Sequence, residues 1–158
     1  MLEWLESSQF SYWVRTELWG WPLALMLHAF GTALVVGFIL IIGMRLLGFF
    51  RMIPYTLLNR LFPVVWIALG LQFVSGFALW MAKPTQYVRD VAFDLKFLLI
   101  IAGIVVTAYL QRTIERGAPT WEAKASVSSR VVKLGAAVLV VWCVVLVAGR
   151  LTAHLGAI

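Results

Sequence analysis

Two histidines, His28 and His154, are the only imidazoles of this 158-residue chain, and both lie inside strongly apolar segments. A neutral imidazole is a common axial ligand of haem iron and also a ligand of copper. In a four-helix membrane bundle these segments are the first and last helices, so both histidines approach the same side of the bilayer. The pair therefore predicts a bis-histidine haem b site with His28 and His154 as the metal ligands.

Two further residues fit a cofactor at this place. Gly31 shares a helical face with the first histidine, and its missing side chain leaves space for a flat macrocycle. Arg150 lies one helical turn inward of the second histidine, where it would pair with a haem propionate, assisted by Arg15 or Lys96. The alternative is structural: each histidine only hydrogen-bonds within the bundle, and the arginine reaches the membrane interface or pairs with a carboxylate.

The composition of the chain indicates whether these residues lie in water or in lipid. Hydrophobic residues make up 63% of the chain and charged residues only 13%, which excludes an ordinary soluble domain. A spanning helix needs about 20 mostly apolar residues, so the chain has room for about four passes and no separate soluble domain. We expect an all-α integral membrane four-helix bundle forming a single transmembrane domain over residues 1–158. The predicted spans cover about 22–44, 62–82, 92–110 and 131–155.

The segments between the spans predict short interfacial helices. Aromatic and charged residues alternate before the first span, as in a helix that lies in the membrane surface. Residues 46–60 mix apolar and basic side chains and are interrupted by Pro54, which indicates a bent interfacial segment. The third helix is expected to end near Leu110, before the polar run 111–117. The opening stretch lacks the pattern of a cleaved signal peptide, so the first span is expected to remain as an anchor.

The distribution of lysine and arginine predicts the orientation, because connections rich in these residues stay on the cytoplasmic side. The first and third connections carry the larger set: Arg45, Arg51, Arg60, Arg112, Arg116, Lys124, Arg130 and Lys133. The opposite side carries Arg15, Lys83, Arg89, Lys96 and Arg150. We therefore expect a multi-pass protein of a bacterial inner membrane with both termini periplasmic or extracellular. The net charge of +6 is explained by this topology and by anionic lipids, and nucleic-acid binding is excluded.

The remaining reactive residue types form no catalytic motif. Cys143 is the only cysteine, so the chain has neither a disulfide framework nor a c-type haem attachment sequence. The polar residues of the middle spans, including Gln72 and Ser75, are explained by hydrogen bonds between helices, and most glycines by close packing. Asp94 and Lys96 near the start of the third span are candidates for binding a quinone headgroup, with an interfacial charge network as the favoured alternative.

Short motifs spread over most of the chain resemble a known group of proteins. The motifs are His28-Ala29-Phe30-Gly31 in the first span, Arg45-Leu46-Leu47-Gly48 after it, and Tyr87 with Phe93-Asp94-Leu95-Lys96 entering the third. With these the chain resembles small bacterial four-helix membrane proteins that are distantly similar to the copper-resistance D-like membrane family. The resemblance implies a subunit or carrier of a metal or redox system, with His28 as a ligand. The sequence departs from the pattern in the third span, where Tyr109 occupies a region in which a second histidine is expected.

These observations lead to one functional expectation and two alternatives. We expect a haem b-binding electron-transfer subunit that links a quinone pool to a partner redox protein, rather than a self-contained enzyme. The first alternative is a copper-handling membrane protein that uses His28, His154 and Met26. The second is a cofactor-free structural subunit that anchors a larger membrane complex.

Overall fold

The computed structural model of the protein describes residue 4 and residues 7–82, 91–124 and 126–155. Within the last two ranges, side chains are described for 94–124 and 126–149. The described residues form helices and connections, with no strand among them. Four of the helices are long and apolar enough to cross a membrane: Gly20–Leu46, Tyr55–Ala82, Asp94–Lys124 and Ser129–Gly149. The predicted all-α bundle of a multi-pass membrane protein is therefore confirmed.

The helices follow one another with short connections. In chain order they are α1 (Gln9–Thr16), α2 (Gly20–Leu46), α3 (Tyr55–Leu58), α4 (Phe62–Ala82), α5 (Val91–Lys124) and α6 (Ser129–Leu155), with a 3-10 turn at Asn59–Leu61 before α4. Helix α1 is amphipathic, with Val14 buried and Phe10, Tyr12 and Trp13 exposed. Its N-cap Ser8 accepts a hydrogen bond from the backbone N–H of Ser11. This helix corresponds to the predicted interfacial helix before the first span.

Helix α2 is the centre of the bundle, because it packs against α4 on one side and α6 on the other, while α5 packs mainly on α6. The core along these contacts is aliphatic and aromatic, and includes Ile42, Leu46, Phe62, Leu110 and Val138. Glycines bring α2 and α6 close together. A Cβ on Gly43 would meet the Leu139 side chain at 2.5 Å, and one on Gly135 would meet Leu46 Cβ at 3.0 Å. Small residues at such crossings allow van der Waals packing of helices in lipid.

Two indole N–H groups form hydrogen bonds between helices. The indole N–H of Trp66 on α4 donates to Gln111 Oε1 on α5 at 2.7 Å. The indole N–H of Trp142 on α6 donates to Thr107 Oγ1 on α5 at 2.9 Å, and both of these residues are buried. These two indole groups thus have partners on a neighbouring helix, which lipid cannot supply.

Helix α5 is much longer than a membrane needs. Its 34 residues span about 51 Å, against about 30 Å for the hydrocarbon core. The sequence predicts a helix end near Leu110, but the helix continues through the polar run to Lys124. Loss of apolar character marks where a helix leaves the lipid, not where it ends. Polar side chains support the helix beyond that point, since the Gln111 amide donates to Glu115 Oε1, one turn later, at 2.7 Å.

The connection between α2 and α3 is bent at two positions. Helix α2 ends in a Schellman motif, in which the N–H of Phe49 donates to Met44 O and that of Gly48 to Arg45 O. Gly48 has φ +96°, and Phe50 has φ +48°. A left-handed conformation costs a residue with a side chain about 1–2 kcal/mol, so Phe50 is a strained position. Pro54 then precedes α3, as expected for a segment interrupted by proline.

Helix α3 is fixed to the extension of α5 by contacts around Tyr55. Glu122 accepts a hydrogen bond from the Tyr55 backbone N–H at 2.6 Å, and the Trp121 ring meets the Tyr55 ring edge-on at 6.0 Å. The guanidinium of Arg45 lies 3.8 Å from the centre of the same ring, and its Nε donates to Ile53 O. One acidic side chain therefore satisfies a helix N-terminus that would otherwise have an unpaired donor.

Replacing Glu122 by alanine should lower the free energy of unfolding by about 1 kcal/mol, because the Tyr55 N–H loses its acceptor. Glu122→Gln keeps an oxygen at the same place and should lose less. Arg116→Ala, an exposed change on the same helix, is the control. Thermal unfolding in mild detergent measures the difference, and equal stability of all three variants would contradict the assigned cap.

The Trp142–Thr107 bond should give a coupling free energy of about 0.6 kcal/mol, the average for hydrogen bonds between membrane helices. Trp142→Phe and Thr107→Val each remove one partner with little change of shape. A double-mutant cycle measured by reversible unfolding in bicelles isolates the pair. Strict additivity of the two single changes would show that the bond contributes nothing.

Candidate functional site

The imidazole of His28 faces α4 from the first half of α2. It lies eight residues after the start of the helix, about 12 Å along its axis, and its side chain is half-buried. The next turn of α2 brings Thr32 to the same face, and α4 presents Gln72 and Ser75, which are three residues apart and therefore adjacent on that helix. These four polar residues, His28, Thr32, Gln72 and Ser75, form a cluster that we call the His28 network.

Both ring nitrogens of His28 have partners on α4. Nδ1 lies 3.2 Å from Ser75 Oγ, and Nε2 lies 3.0 Å from the amide nitrogen of Gln72. The Ser75 hydroxyl donates to the backbone oxygen of Leu71 at 2.7 Å, which leaves its lone pairs to accept from Nδ1–H. These directions assign the proton to Nδ1 and a lone pair to Nε2.

The amide group of Gln72 connects the network to the next turn of α2. Its nitrogen donates to Thr32 Oγ1 at 2.8 Å as well as to His28 Nε2. Thr32 in turn donates to the backbone oxygen of His28 at 2.9 Å. Every donor hydrogen of the cluster is thus used once, and the orientation of the imidazole is determined by its neighbours.

One acceptor of the network has no partner. Oε1 of Gln72 is buried and accepts no hydrogen bond. An unsatisfied buried polar atom costs about 1–3 kcal/mol, and more where no water is present. The Gln72 side chain therefore forms its hydrogen bonds in the cluster through its nitrogen alone.

Two glycines allow α2 and α4 to approach at this level. A Cβ on Gly76 would meet His28 Cε1 at 3.1 Å, and a Cβ on Gly31 would meet Gln72 Oε1 at 2.9 Å. Gly31 was expected to leave space for a flat macrocycle. In this structure the space beside it is filled by the Gln72 side chain.

A positive charge lies near the network on α5. The side chain of Lys96 is half-buried and within electrostatic range of His28. Its Nζ lies 3.7 Å from the position a Cβ on Gly149 would take, so α6 passes directly beside it. Lys96 therefore lies between α5 and α6 at the level of Gly149, on the same side of the bundle as His28.

An apolar cavity of about 130 Å³ adjoins the network. It lies between α1, α2 and α4, and Phe10, Trp13, Leu27, Val74 and Ser75 are among the residues that line it. Ser75 is thus shared between the wall of the cavity and the hydrogen bond to His28.

The second predicted ligand is not described at this level of detail. Arg150 and His154 lie within the backbone of α6, but their side chains are outside the described residues. The bis-histidine pairing and the propionate partner therefore stay predictions. Among the described residues, no group of three or more histidine, cysteine, aspartate or glutamate side chains could hold a metal ion.

Part of the network was visible in the sequence. Gln72 and Ser75 are polar residues in an apolar span, and the prediction that they bond across helices is confirmed. Their partner was not predicted, because the partner depends on the rotation of α2 about its own axis. The three-residue spacing of Gln72 and Ser75 is the signal that they share one face.

Comparisons of the chain with models of known protein families, with curated proteins and with solved structures give no match. The resemblance to the copper-resistance D-like membrane family therefore depends on short motifs alone, and the function has to be argued from the site itself.

Proposed function

We propose that the protein is a membrane-integral electron-transfer subunit that binds haem b through His28, with His154 as the second axial ligand. It would link a quinone pool to a partner redox protein in a bacterial inner membrane, with both termini on the periplasmic or extracellular side. The observation that carries the proposal is the contact between His28 Nδ1 and Ser75 Oγ, whose own hydrogen is donated to Leu71 O. Nδ1–H therefore donates to Ser75, and Nε2, on the other side of the ring, keeps its lone pair.

This donor arrangement suits ligation of iron. A ligating histidine commonly donates its other ring N–H to a nearby acceptor, which determines both the tautomer and the ring orientation. Ser75 Oγ is such an acceptor for His28. The hydrogen bond to Ser75 therefore supports ligation through Nε2, and a haem there would have to take the space that Gln72 fills beside Gly31.

The group that Nε2 contacts in this structure is weakly held. The bond from the Gln72 amide is an interaction between neutral groups, with a net value of about 0.5–1.5 kcal/mol. The same side chain carries the unpartnered Oε1, and its nitrogen also donates to Thr32 Oγ1. Ligation of Nε2 would displace the amide and break its hydrogen bonds to His28 and Thr32.

Lys96 supplies the charge that such a cofactor needs. Haem b carries two propionate carboxylates, and a half-buried ammonium group between helices is a suitable partner for one of them. When bound, haem provides one-electron transfer, with a potential set by its axial ligands and by nearby hydrogen bonds. The chain itself holds the ligand nitrogen in position and places the positive charge.

A dithionite-reduced minus air-oxidised visible spectrum of the purified protein should have the bands of a low-spin b-type haem at near-stoichiometric occupancy. His28→Leu and His154→Leu should each abolish these bands, because each removes one axial ligand. Thr113→Ala, a polar change on α5 away from His28, should leave the spectrum unchanged.

Haem and metal content are measured on the same sample. Stoichiometric copper without haem would reject the proposal in favour of the copper-handling alternative. Absence of both after haem-sufficient expression would reject it in favour of a structural subunit. An unchanged haem spectrum in both single histidine variants would reject the ligand assignment.

Ser75→Ala should retain the low-spin spectrum but weaken haem binding by about 10–100-fold, because the partner that orients the ligand is lost. Ser75→Thr keeps the hydroxyl and should restore most of the affinity. Haem titration of the apoprotein, with the midpoint potential as a second readout, measures both. Identical affinities and potentials in wild type and Ser75→Ala would show that this hydrogen bond has no role in haem binding.

A further inference from the structure

The segment between α2 and α3 exposes large apolar side chains beyond the end of a membrane span. We call residues 47–53 the foot. Met52 is 96% exposed, and Phe49 and Phe50 are about half exposed. Large apolar patches on a protein surface mark contacts with lipid or with other proteins. The foot therefore has an unidentified partner.

The length of α2 places the foot at the membrane surface. Its 27 residues span about 40 Å, compared with about 30 Å for the hydrocarbon core and about 40–45 Å for the whole bilayer. A helix of this length that crosses the bilayer reaches from one headgroup region to the other. The Schellman motif then reverses the chain at Gly48, so the next residues remain at that level instead of extending into water.

The backbone of the foot directs its aromatic side chains outward. Phe50 adopts φ +48°, a conformation that a bulky residue rarely takes, and both it and Phe49 are exposed. A strained conformation of this kind persists where the surroundings compensate for it. Burial of the rings among acyl chains would do so, whereas exposure to water would not.

Arg51 adds a group that recognises phosphate. Its Nε lies 3.4 Å from Gly48 O, which orients the side chain back along the foot, and the residue is exposed. A guanidinium group has five N–H donors, so four remain for a partner, and they suit the geometry of a phosphate. The arginine thus lies between apolar neighbours, as in a residue at the lipid interface.

The charge on this side of the bundle complements an anionic membrane surface. Eight basic side chains lie near the ends of the spans on this side: Arg45, Arg51, Arg60, Arg112, Arg116, Lys124, Arg130 and Lys133. The two nearby carboxylates are already used within the protein, since Glu122 accepts from Tyr55 and Glu115 accepts from Gln111. The net positive charge at this end of the bundle therefore attracts anionic lipid, because the protein's own two carboxylates do not balance it.

We propose that the foot docks on anionic phospholipid, with Phe49, Phe50 and Met52 inserted below the headgroups and Arg51 bound to a lipid phosphate. The site continues the lipid-facing surface of the spans and is independent of the His28 network. It anchors the end of α2 and the start of α3 in one leaflet.

Spin-label accessibility in lipid nanodiscs tests the insertion. In a Cys143→Ala background, a label at Met52→Cys should collide more with oxygen than with a water-soluble nickel chelate. A label at Thr120→Cys, on the extension of α5, is the matched control and should have the opposite preference. A label at position 52 that prefers the nickel chelate as strongly as the control would overturn the proposal.

The lipid class is tested in the same system. Addition of phosphatidylglycerol to phosphatidylcholine nanodiscs should raise the oxygen-to-nickel ratio at position 52 several-fold. Arg51→Gln should abolish this response, whereas Arg15→Gln, which removes an exposed positive charge from α1 at the other end of α2, should retain it. Equal responses of the two variants, or no response to phosphatidylglycerol in the parent, would reject phosphate binding by Arg51.

Discussion

Lipid offers no hydrogen bonds, and this constraint organises the interior of the protein. Each polar side chain that enters a span needs a partner within the protein, on its own helix or on a neighbouring one. Trp66 bonds with Gln111, Trp142 with Thr107, and His28 with Gln72 and Ser75. Between these points the helices are held by apolar packing, which is not specific about rotation. The polar pairs therefore determine which faces of the helices meet.

The bundle is asymmetric because α2 has two neighbours along its length. One face is closed against α6 by Gly43 and Gly135, and the other meets α4 at the His28 network, where Gly31 and Gly76 permit the approach. Aliphatic contacts dominate the face that packs on α6, and the hydrogen bonds of the His28 network distinguish the face that packs on α4. A cofactor that enters on the second face would replace the two hydrogen bonds from the Gln72 amide, to His28 and to Thr32, and would leave the aliphatic face intact.

Hydropathy alone was sufficient to predict the four spans, and Pro54 was sufficient to predict the break before α3. The end of α5 was not predictable in the same way. Polar residues such as Gln111 and Glu115 leave the lipid but remain good helix formers, so the helix passes the membrane boundary without ending. The partner of His28 was not predictable either, because a histidine on an apolar helix has several directions in which to turn. Only the packing of α2 on α4 selects Gln72 and Ser75.

The His28 network has a consequence for biogenesis, because all four of its members belong to the first two spans of the chain. Membrane helices leave the ribosome in sequence, and α2 is exposed to lipid before α4 has been made. During that interval the imidazole of His28 has no side-chain partner from another helix. Insertion of α4 supplies Gln72 and Ser75 at once, without waiting for α5 or α6. The first helical hairpin can therefore supply the partners of His28 during synthesis, whereas the indole of Trp66 gains its partner Gln111 only when α5 arrives.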